Sequence, residues 1–340
     1  MPVDELDIGT LGSYLQENVE GFSGLKVAEK FSDGQSNPTF LLTADSGRYV
    51  LRKQPPGVLL KSAHAVDREF RVIKALADSN VPVATVYHLC EDPDLINGMF
   101  YVMSFEDGRV FWDPALPQLD SEERGTVYDE MNRVLAALHD VDVEAAGLID
   151  FGYPGNYFER QVGRWSKQYR ASETETIAAM DSLIDWLPAN MPEYDGKAGL
   201  IHGDYRLDNI MFHKTELRAQ AVLDWELSTL GHPYADLAYQ CMQLRVPRDA
   251  VVGGLGGIDR TALGIPTEEE YVGLYCKRRG LEGIPNWDFY LVFSFFRLAA
   301  ILQGVLRRAI DGNASSKKAL LYGGLAPKLA DLAMDIVEKN

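Results

Sequence analysis

Cysteine is scarce in this chain. Three of its 340 residues are Cys, at positions 90, 241 and 276, and none belongs to a CxxC pair or a Cys/His cluster. A disulfide framework and a structural zinc site are therefore not expected, and a reduced, cytoplasmic chain is. Basic residues are in deficit as well: 33 Lys and Arg stand against 50 Asp and Glu, a formal net charge of −17. A nucleic-acid partner needs a basic footprint to meet phosphates, so none is expected, and anionic membrane surfaces are mildly repelled. No basic segment followed by an apolar one opens the chain, so no signal peptide is expected. The longest apolar stretch, Leu291 to Ile310, is interrupted by Arg297, Gln303, Arg307 and Arg308. It reads as a buried helix and not as a membrane span. Gly253 to Gly257 is glycine-rich but neither follows a clear strand nor opens a helix, which removes it as a dinucleotide fingerprint. No internal repeat or long low-complexity segment occurs.

What is present suffices for a sizeable core: 46% of the residues are hydrophobic, and the length suits two lobes or two domains. Residues 11–22 read as a first helix. Three strands follow at 27–31, 39–44 and 48–52, with hairpin signals at Asp33-Gly34 and Asp45-Ser46-Gly47. Val66, Phe70, Ile73 and Leu76 recur at helical spacing within a helix expected over Ser62 to Asp78. Strands are expected at 86–91 and 100–105. Beyond that the chain is mostly helical, with helices over 121–138 (capped by Ser121), 157–171, 173–190, 267–279 (a capping box of Thr267 and Glu270), 287–311 and 316–338.

The segment from Leu200 to Asn209 carries the chemistry. Asp204 and Asn209 lie five positions apart on a loop bounded by apolar runs. Asp224 ends the apolar strand Ala221 to Leu223, and a short strand pair would return it beside Asn209. Phosphoryl transfer needs a carboxylate near the acceptor hydroxyl and oxygen ligands for magnesium on the phosphates. Asp204 suits the first role; Asn209 and Asp224 suit the second. Arg206 follows Asp204 by two residues, either to stabilise transferring charge or simply to be solvated. Asp208 is a second metal-region carboxylate or a loop cap.

Upstream, Arg52 ends a strand, and Lys53 points to its other face if the strand is regular. Glu69 lies on the buried flank of the Ser62–Asp78 helix. A buried carboxylate requires a cation, and Arg52 is the candidate. Between the first two strands, the Ser36 hydroxyl, Asn37 and turn amides offer a phosphate cradle.

Together these features resemble the aminoglycoside phosphotransferase and choline kinase superfamily. His202-Gly203-Asp204 with Asn209, Asp224 with Trp225-Glu226, and Gly34-Gln35-Ser36-Asn37-Pro38-Thr39 carry the likeness. Arg52 to Gly57 with Ala63 to Phe70 resemble in particular the phosphotransferase domains found fused to acyl-CoA dehydrogenases. The resemblance implies an α+β, protein-kinase-like two-lobed fold. Residues 1–105 would be the N-lobe, an antiparallel sheet plus helix, and 106–340 a mostly helical C-lobe.

It also implies ATP and Mg2+ as cofactors and a small-molecule hydroxyl as acceptor. A hydroxyacyl-CoA or hydroxy acid is the more natural acceptor, an aminoglycoside less so. By the same resemblance Arg52 contacts the phosphates, with Lys53 as the fallback. Backbone groups of Ser104, Phe105 and Glu106 bind adenine. His202 holds the loop, and Asp236, which suits an N-cap, accepts loop amides. Glu226 contacts substrate, a cation or only solvent.

Two other readings stand beside this one. A pseudokinase scaffold would bind nucleotide without turnover. A metal-dependent hydrolase would use His202, Asp204, His213, Asp224 and His232, leaving Asn209, Arg52 and Glu69 without a role. Oligomeric state and acceptor identity are open at this point.

Overall fold

The computed structural model describes residues 6–31, 37–56, 64–153, 155–251, 253–312 and 319–339. In chain order the elements are α1 (Ile8–Asn18), β1 (Leu25–Lys30), β2 (Thr39–Ala44), β3 (Gly47–Lys53), α2 (Val66–Ala75), β4 (Val86–Cys90), β5 (Phe100–Ser104), β6 (Gly108–Val110), α3 (Ser121–His139), α4 (Tyr157–Ser172) and α5 (Ala178–Ala189). Then come β7 (Gly199–Ile201), β8 (Ile210–His213), β9 (Ala219–Val222), β10 (Thr229–Gly231), α6 (Tyr234–Arg245), α7 (Arg260–Leu263), α8 (Glu268–Arg279), α9 (Trp287–Ile310), α10 (Ala319–Gly323) and α11 (Ala326–Val337). Short 3-10 turns cover Leu207–Asn209 and Trp225–Leu227.

The chain divides into two compact units. The first comprises 1–109, 146–148 and 209–228; the second comprises 110–145, 149–208 and 229–340. The chain thus passes from the second unit back to the first between Asp208 and Asn209.

The first unit is built on an antiparallel sheet in the order β1-β2-β3-β5-β4. Strand β2 alternates between half-buried and buried positions, as a sheet covered on one face should. Phe40, Leu42, Leu51, Phe100 and Val102 join Leu11 and Leu15 of α1 in one core cluster. The β2–β3 hairpin turns at Asp45-Ser46, as the sequence signals, with Ala44 paired to Gly47. The other hairpin signal, Asp33-Gly34, lies outside the described residues. Strands β8 and β9 form a hairpin beside β6.

The second unit is helical apart from the β7–β10 pair. Its centre is α9, packed against α4, α6, α10 and α11. By length and composition α9 is apolar enough to cross a membrane, with a mean hydropathy of 1.8 over its most apolar window, but 78% of that window is buried inside the protein. The sequence reading of a buried helix holds.

Several boundaries differ from expectation for identifiable reasons. Asp7 accepts the amides of Gly9 and Thr10, so α1 begins earlier than residue 11. Helix α2 spans Val66–Ala75, within the expected 62–78. Asp120, not Ser121, caps α3, in a reciprocal box with Glu123. The chain after α4 stays non-helical until Ala178. Gln303 donates to the Ser172 carbonyl and the Thr174 hydroxyl (2.9 Å each), binding those groups outside any helical ladder. The expected last helix is two, α10 and α11, interrupted at Gly324-Leu325. The Thr267–Glu270 box on α8 is present.

Gly108 tests the β6–β8 packing. A Cβ there would lie 2.5 Å from the Phe212 carbonyl oxygen and would also strike the Met211 side chain. Backbone cannot yield as a side-chain tip can. Gly108→Ala should lower stability by about 1–3 kcal/mol, the range for forced overpacking. Thermal unfolding would show this, and an unchanged midpoint would mean that the strands have room to spare.

Candidate active site

The loop after β7 is fixed by a buried carboxylate. Asp236, in the first turn of α6, accepts the His202 amide at 2.6 Å and the Gly203 amide at 2.9 Å. Asp236 therefore does not act as the N-cap; Pro233 occupies that position. Its second partner is His139 of α3, whose Nε2 lies 3.4 Å away and whose Nδ1 meets the Tyr275 hydroxyl at 2.7 Å. Burial lowers the His139 pKa, so the ring is neutral. The consistent tautomer has Nε2–H donating to Asp236 and Nδ1 accepting from Tyr275. Burial pushes the Asp236 pKa up, but the His139 contact and the His202 amide outweigh it and hold it below the ordinary carboxylate value. Gly203 adopts φ 83°, a left-handed conformation that favours glycine.

Within the loop, the His202 ring is fully buried and its Nδ1 accepts the Asp204 amide at 3.2 Å. Its role here is to shape the turn, as expected. The Asp204 side chain is 21% exposed. Arg206 is not simply solvated: its Nε lies 3.5 Å from Asp204 and its terminal nitrogen 2.9 Å from Asp208. Asp208 accordingly braces Arg206. Tyr205 anchors the loop by donating to the Met131 carbonyl at 2.7 Å.

In the first unit the β8–β9 hairpin does what the sequence requires. Ile210 pairs with Val222, and the Leu223 amide donates to the Asn209 carbonyl at 2.8 Å. Asn209 and Asp224 are thereby brought to one end of the hairpin. Asp224 has φ 59° and ψ 63°, a strained conformation for a residue other than glycine. The turn behind it is tied by Trp225 donating to the Val222 carbonyl and by the Ser228 hydroxyl donating to the Trp225 carbonyl.

Arg52 joins the predicted pair. Its Nε lies 2.8 Å from Glu69, and a terminal nitrogen lies 2.8 Å from Asp224 and 3.9 Å from Glu226. Glu69 is 2% exposed and also accepts from Asn37 (2.7 Å) and the Tyr101 hydroxyl (3.2 Å). Lys53 points away, buried, with its ammonium donating to the Ile96 carbonyl at 2.8 Å. Of the two candidate cations, Arg52 is the one at the carboxylates.

One guanidinium faces three carboxylates, and the pKa shifts reflect this. Burial works against the Arg52 charge, but Glu69, Tyr101, Asp224 and Glu226 more than offset it, so its pKa is raised. Burial, reinforced by the charges of Asp224 and Glu226, pushes Glu69 up to about 7 against the pull of Arg52 and Asn37. The two directions are compatible, since Arg52 is shared and the most buried carboxylate bears the desolvation.

Among the remaining predicted contacts, the Ser104 hydroxyl donates to Glu106 at 2.5 Å, and Gln220 donates to Glu106 at 2.8 Å. Phe105 lies under the Arg48 guanidinium at 4.2 Å. Ser36 lies outside the described residues. No three His, Cys, Asp or Glu side chains gather as a metal-binding group among the described residues. The histidines of the hydrolase reading are engaged elsewhere. His213 accepts amides of Thr215 and Glu216, and His232 stacks on Tyr290 with its pKa lowered to about 4 by burial. Asn209 and Asp224 offer hard oxygen donors, which fit Mg2+: it takes one or two protein ligands and completes its shell with phosphates and water.

A unit built on a five-stranded antiparallel sheet with helices α1 and α2, and a helical unit that carries Asp204 on the loop after β7, with Asn209 following where the chain re-enters the first unit, define a kinase-like phosphotransferase. The family model for the phosphotransferase enzyme family matches residues 27–268, and the chain belongs to that family. It is 49% identical over 312 residues to mouse acyl-CoA dehydrogenase family member 10, covering 92% of this chain and 29% of that protein. It is 42% identical to mouse family member 11, covering 100% of this chain and 44% of that protein. The chain thus spans less than half the length of these curated relatives.

A solved chain from Ralstonia eutropha, provisionally assigned as an aminoglycoside phosphotransferase, is 50% identical with a TM-score of 0.91, over 98% of this chain and 99% of that one. The fold is shared with choline kinase from Cryptosporidium parvum (TM-score 0.67, 12% identity, 98% and 96% coverage). It is also shared with an aminoglycoside phosphotransferase solved with AMP-PNP and hygromycin B (TM-score 0.64, 16% identity, 96% and 98% coverage). The resemblance read from the sequence is borne out, and with it the two-lobed α+β fold.

Sequence reasoning missed His139, Tyr239 and Arg297, all of which act on the Asp204 loop. His139 and Tyr239 carry little signal. Arg297 carried one, as a charge interrupting the longest apolar stretch of the sequence.

The Arg52–Glu69 pair yields a double-mutant test. Arg52→Ala leaves Glu69 buried without its cation and should lose about 3–5 kcal/mol. Adding Glu69→Gln should recover part of that loss, giving a coupling of roughly 0.5–3 kcal/mol in denaturant titrations. Strict additivity would show that the pair does not form in solution.

Proposed function

We propose that this chain transfers the γ-phosphoryl group of ATP, with Mg2+, to a hydroxyl of a small molecule. The observation that carries this reading is the β8–β9 hairpin, which sets Asp224 beside Asn209, five residues of continuous chain after Asp204. Magnesium supplies charge neutralisation of the phosphates and fixes their geometry. Asn209 and Asp224 would hold it. Arg52, oriented by Glu69, binds phosphate oxygens. Backbone groups of Ser104 to Glu106 take the adenine, and Ser36 and Asn37 belong to the phosphate loop.

Asp204 accepts a hydrogen bond from the acceptor hydroxyl and takes its proton as the new O–P bond forms and the bond to the ADP oxygen breaks. Arg206, held between Asp204 and Asp208, offsets charge on the transferring group.

The names of the relatives bear on the acceptor class. The curated relatives of 40% identity and above bear acyl-CoA dehydrogenase names, which supports a hydroxyacyl-CoA or hydroxy acid as acceptor, while the 50% identical Ralstonia chain bears an aminoglycoside phosphotransferase name. A cytoplasmic setting accords with three free, buried cysteines. The pseudokinase reading has no support in the residues, since Asp204, Asn209, Asp224 and Arg52 are all present.

Asp204→Ala should lower phosphoryl transfer by at least ~10²-fold, the scale of general-base catalysis, with ATP binding retained. A screen of hydroxy acids and hydroxyacyl-CoAs with labelled ATP provides the assay, and near-normal transfer by the variant would remove Asp204 from this role. Asp224→Asn should weaken Mg2+-dependent ATP binding while leaving adenosine binding unchanged. Calorimetry with the two ligands separates these cases, and equal weakening of both would count against Asp224 as a metal ligand.

A further inference from the structure

Helix α9 is long and apolar enough to cross a membrane, yet Arg297 sits near its middle and is 6% exposed. Burying a guanidinium is costly unless something holds it. Arg297 is held by a carbonyl and two rings. It donates to the Gly203 carbonyl at 2.7 Å, lies 5.2 Å from the Tyr239 ring centre and lies 5.8 Å from that of Trp165. Its Nε is buried with no hydrogen-bond partner among the described residues. A side chain kept only for packing would not need this charge, since a Leu or Met would suit such a helix better.

The placement explains the charge. The residue before Asp204 is gripped from both sides, its amide by Asp236 and its carbonyl by Arg297. Tyr239, whose ring lies against Arg297, also faces Asp204: burial raises the pKa of the Tyr239 hydroxyl, and the Asp204 charge adds to that. Two of the contacts that aim Asp204 therefore converge on one guanidinium.

We propose that Arg297 is a positioning residue for phosphoryl transfer: it fixes the Gly203 carbonyl and the Tyr239 ring, and so sets where the Asp204 carboxylate points. This inference rests on the phosphotransferase reading given above. Arg297 acts on the acceptor side of the reaction and not on nucleotide binding, whose proposed residues are Arg52, Asn209 and Asp224. A group misplaced by about 1 Å can lose on the order of 10²-fold in rate.

The test compares Arg297→Met, Arg297→Lys and Tyr239→Phe in the full chain. Three readouts are taken: ATP turnover with Mg2+, ATP binding, and amide hydrogen exchange by mass spectrometry. Arg297→Met should lower kcat by about 10–100-fold with ATP affinity little changed. Exchange should quicken in the 200–206 segment and not in α4, α6 or α11. Arg297→Lys, which can still donate to Gly203, should recover part of both losses. Tyr239→Phe should lower kcat without changing exchange at Gly203.

Wild-type turnover in Arg297→Met overturns the proposal. So does quickened exchange spread evenly over the second unit, which would make Arg297 a packing residue only. If the unmodified chain turns over no ATP with any acceptor or with water, the phosphotransferase reading fails. The exchange pattern then still decides whether Arg297 clamps the loop.

Discussion

The carboxylate of Asp236 is the constraint on which the second unit's chemistry depends. A charge so deeply buried must be fully hydrogen-bonded, and its donors are the amides of His202 and Gly203 with the ring of His139. Satisfying Asp236 therefore fixes the conformation of the loop that carries Asp204. The same bonds explain the residue types around it. Position 203 needs glycine because its φ is 83°. Position 202 needs a side-chain acceptor for the Asp204 amide. Position 139 needs a neutral donor that burial keeps unprotonated. Loop geometry, helix α3 and helix α6 are coupled through one buried charge.

In the first unit Arg52 has the corresponding place. It ties β3 to α2 through Glu69 and to the end of the β8–β9 hairpin through Asp224. Three parts of the chain far apart in sequence meet on a single guanidinium. Its planar, forked donors suit this better than a lysine would, because distinct carboxylates approach different nitrogens. Lys53, one residue later, is turned to the opposite face by the strand's alternation and spent on a backbone carbonyl.

Much of this was legible in the sequence, and the reasons differ from residue to residue. Asp204, Asn209 and Asp224 could be found because their spacing along a loop and a hairpin is short-range. Glu69 could be found because a carboxylate on an apolar helix face calls for a cation. The choice of Arg52 over Lys53 followed from strand periodicity. Less was legible where long-range contacts decide. Asp236 looked like an N-cap from its local sequence; that a loop some thirty residues earlier uses its carboxylate was implied by the family resemblance alone, since nothing local shows it. The delay of α5 to Ala178 depends on Gln303, well over a hundred residues away. Arg206 was open between two roles because only the folded loop shows Asp208 beside it.

Charge balance gives a reason for the third carboxylate. Glu69, Asp224 and Glu226 against Arg52 sum to −2 in the ionised state, within a chain already at −17. A nucleotide triphosphate alone would be repelled by such a group, since like charges a few ångströms apart at a partly buried site interact by several kcal/mol. A divalent cation, on the proposed reading, would reverse the sign of that interaction where phosphate binds. On the proposed reading, Glu226 then contributes field and not ligation: at 3.9 Å it adds negative potential beside Asp224 while sharing Arg52 only weakly. On that reading the local acidity would make nucleotide binding depend on metal, with Arg52 as the local exception that lets phosphate approach.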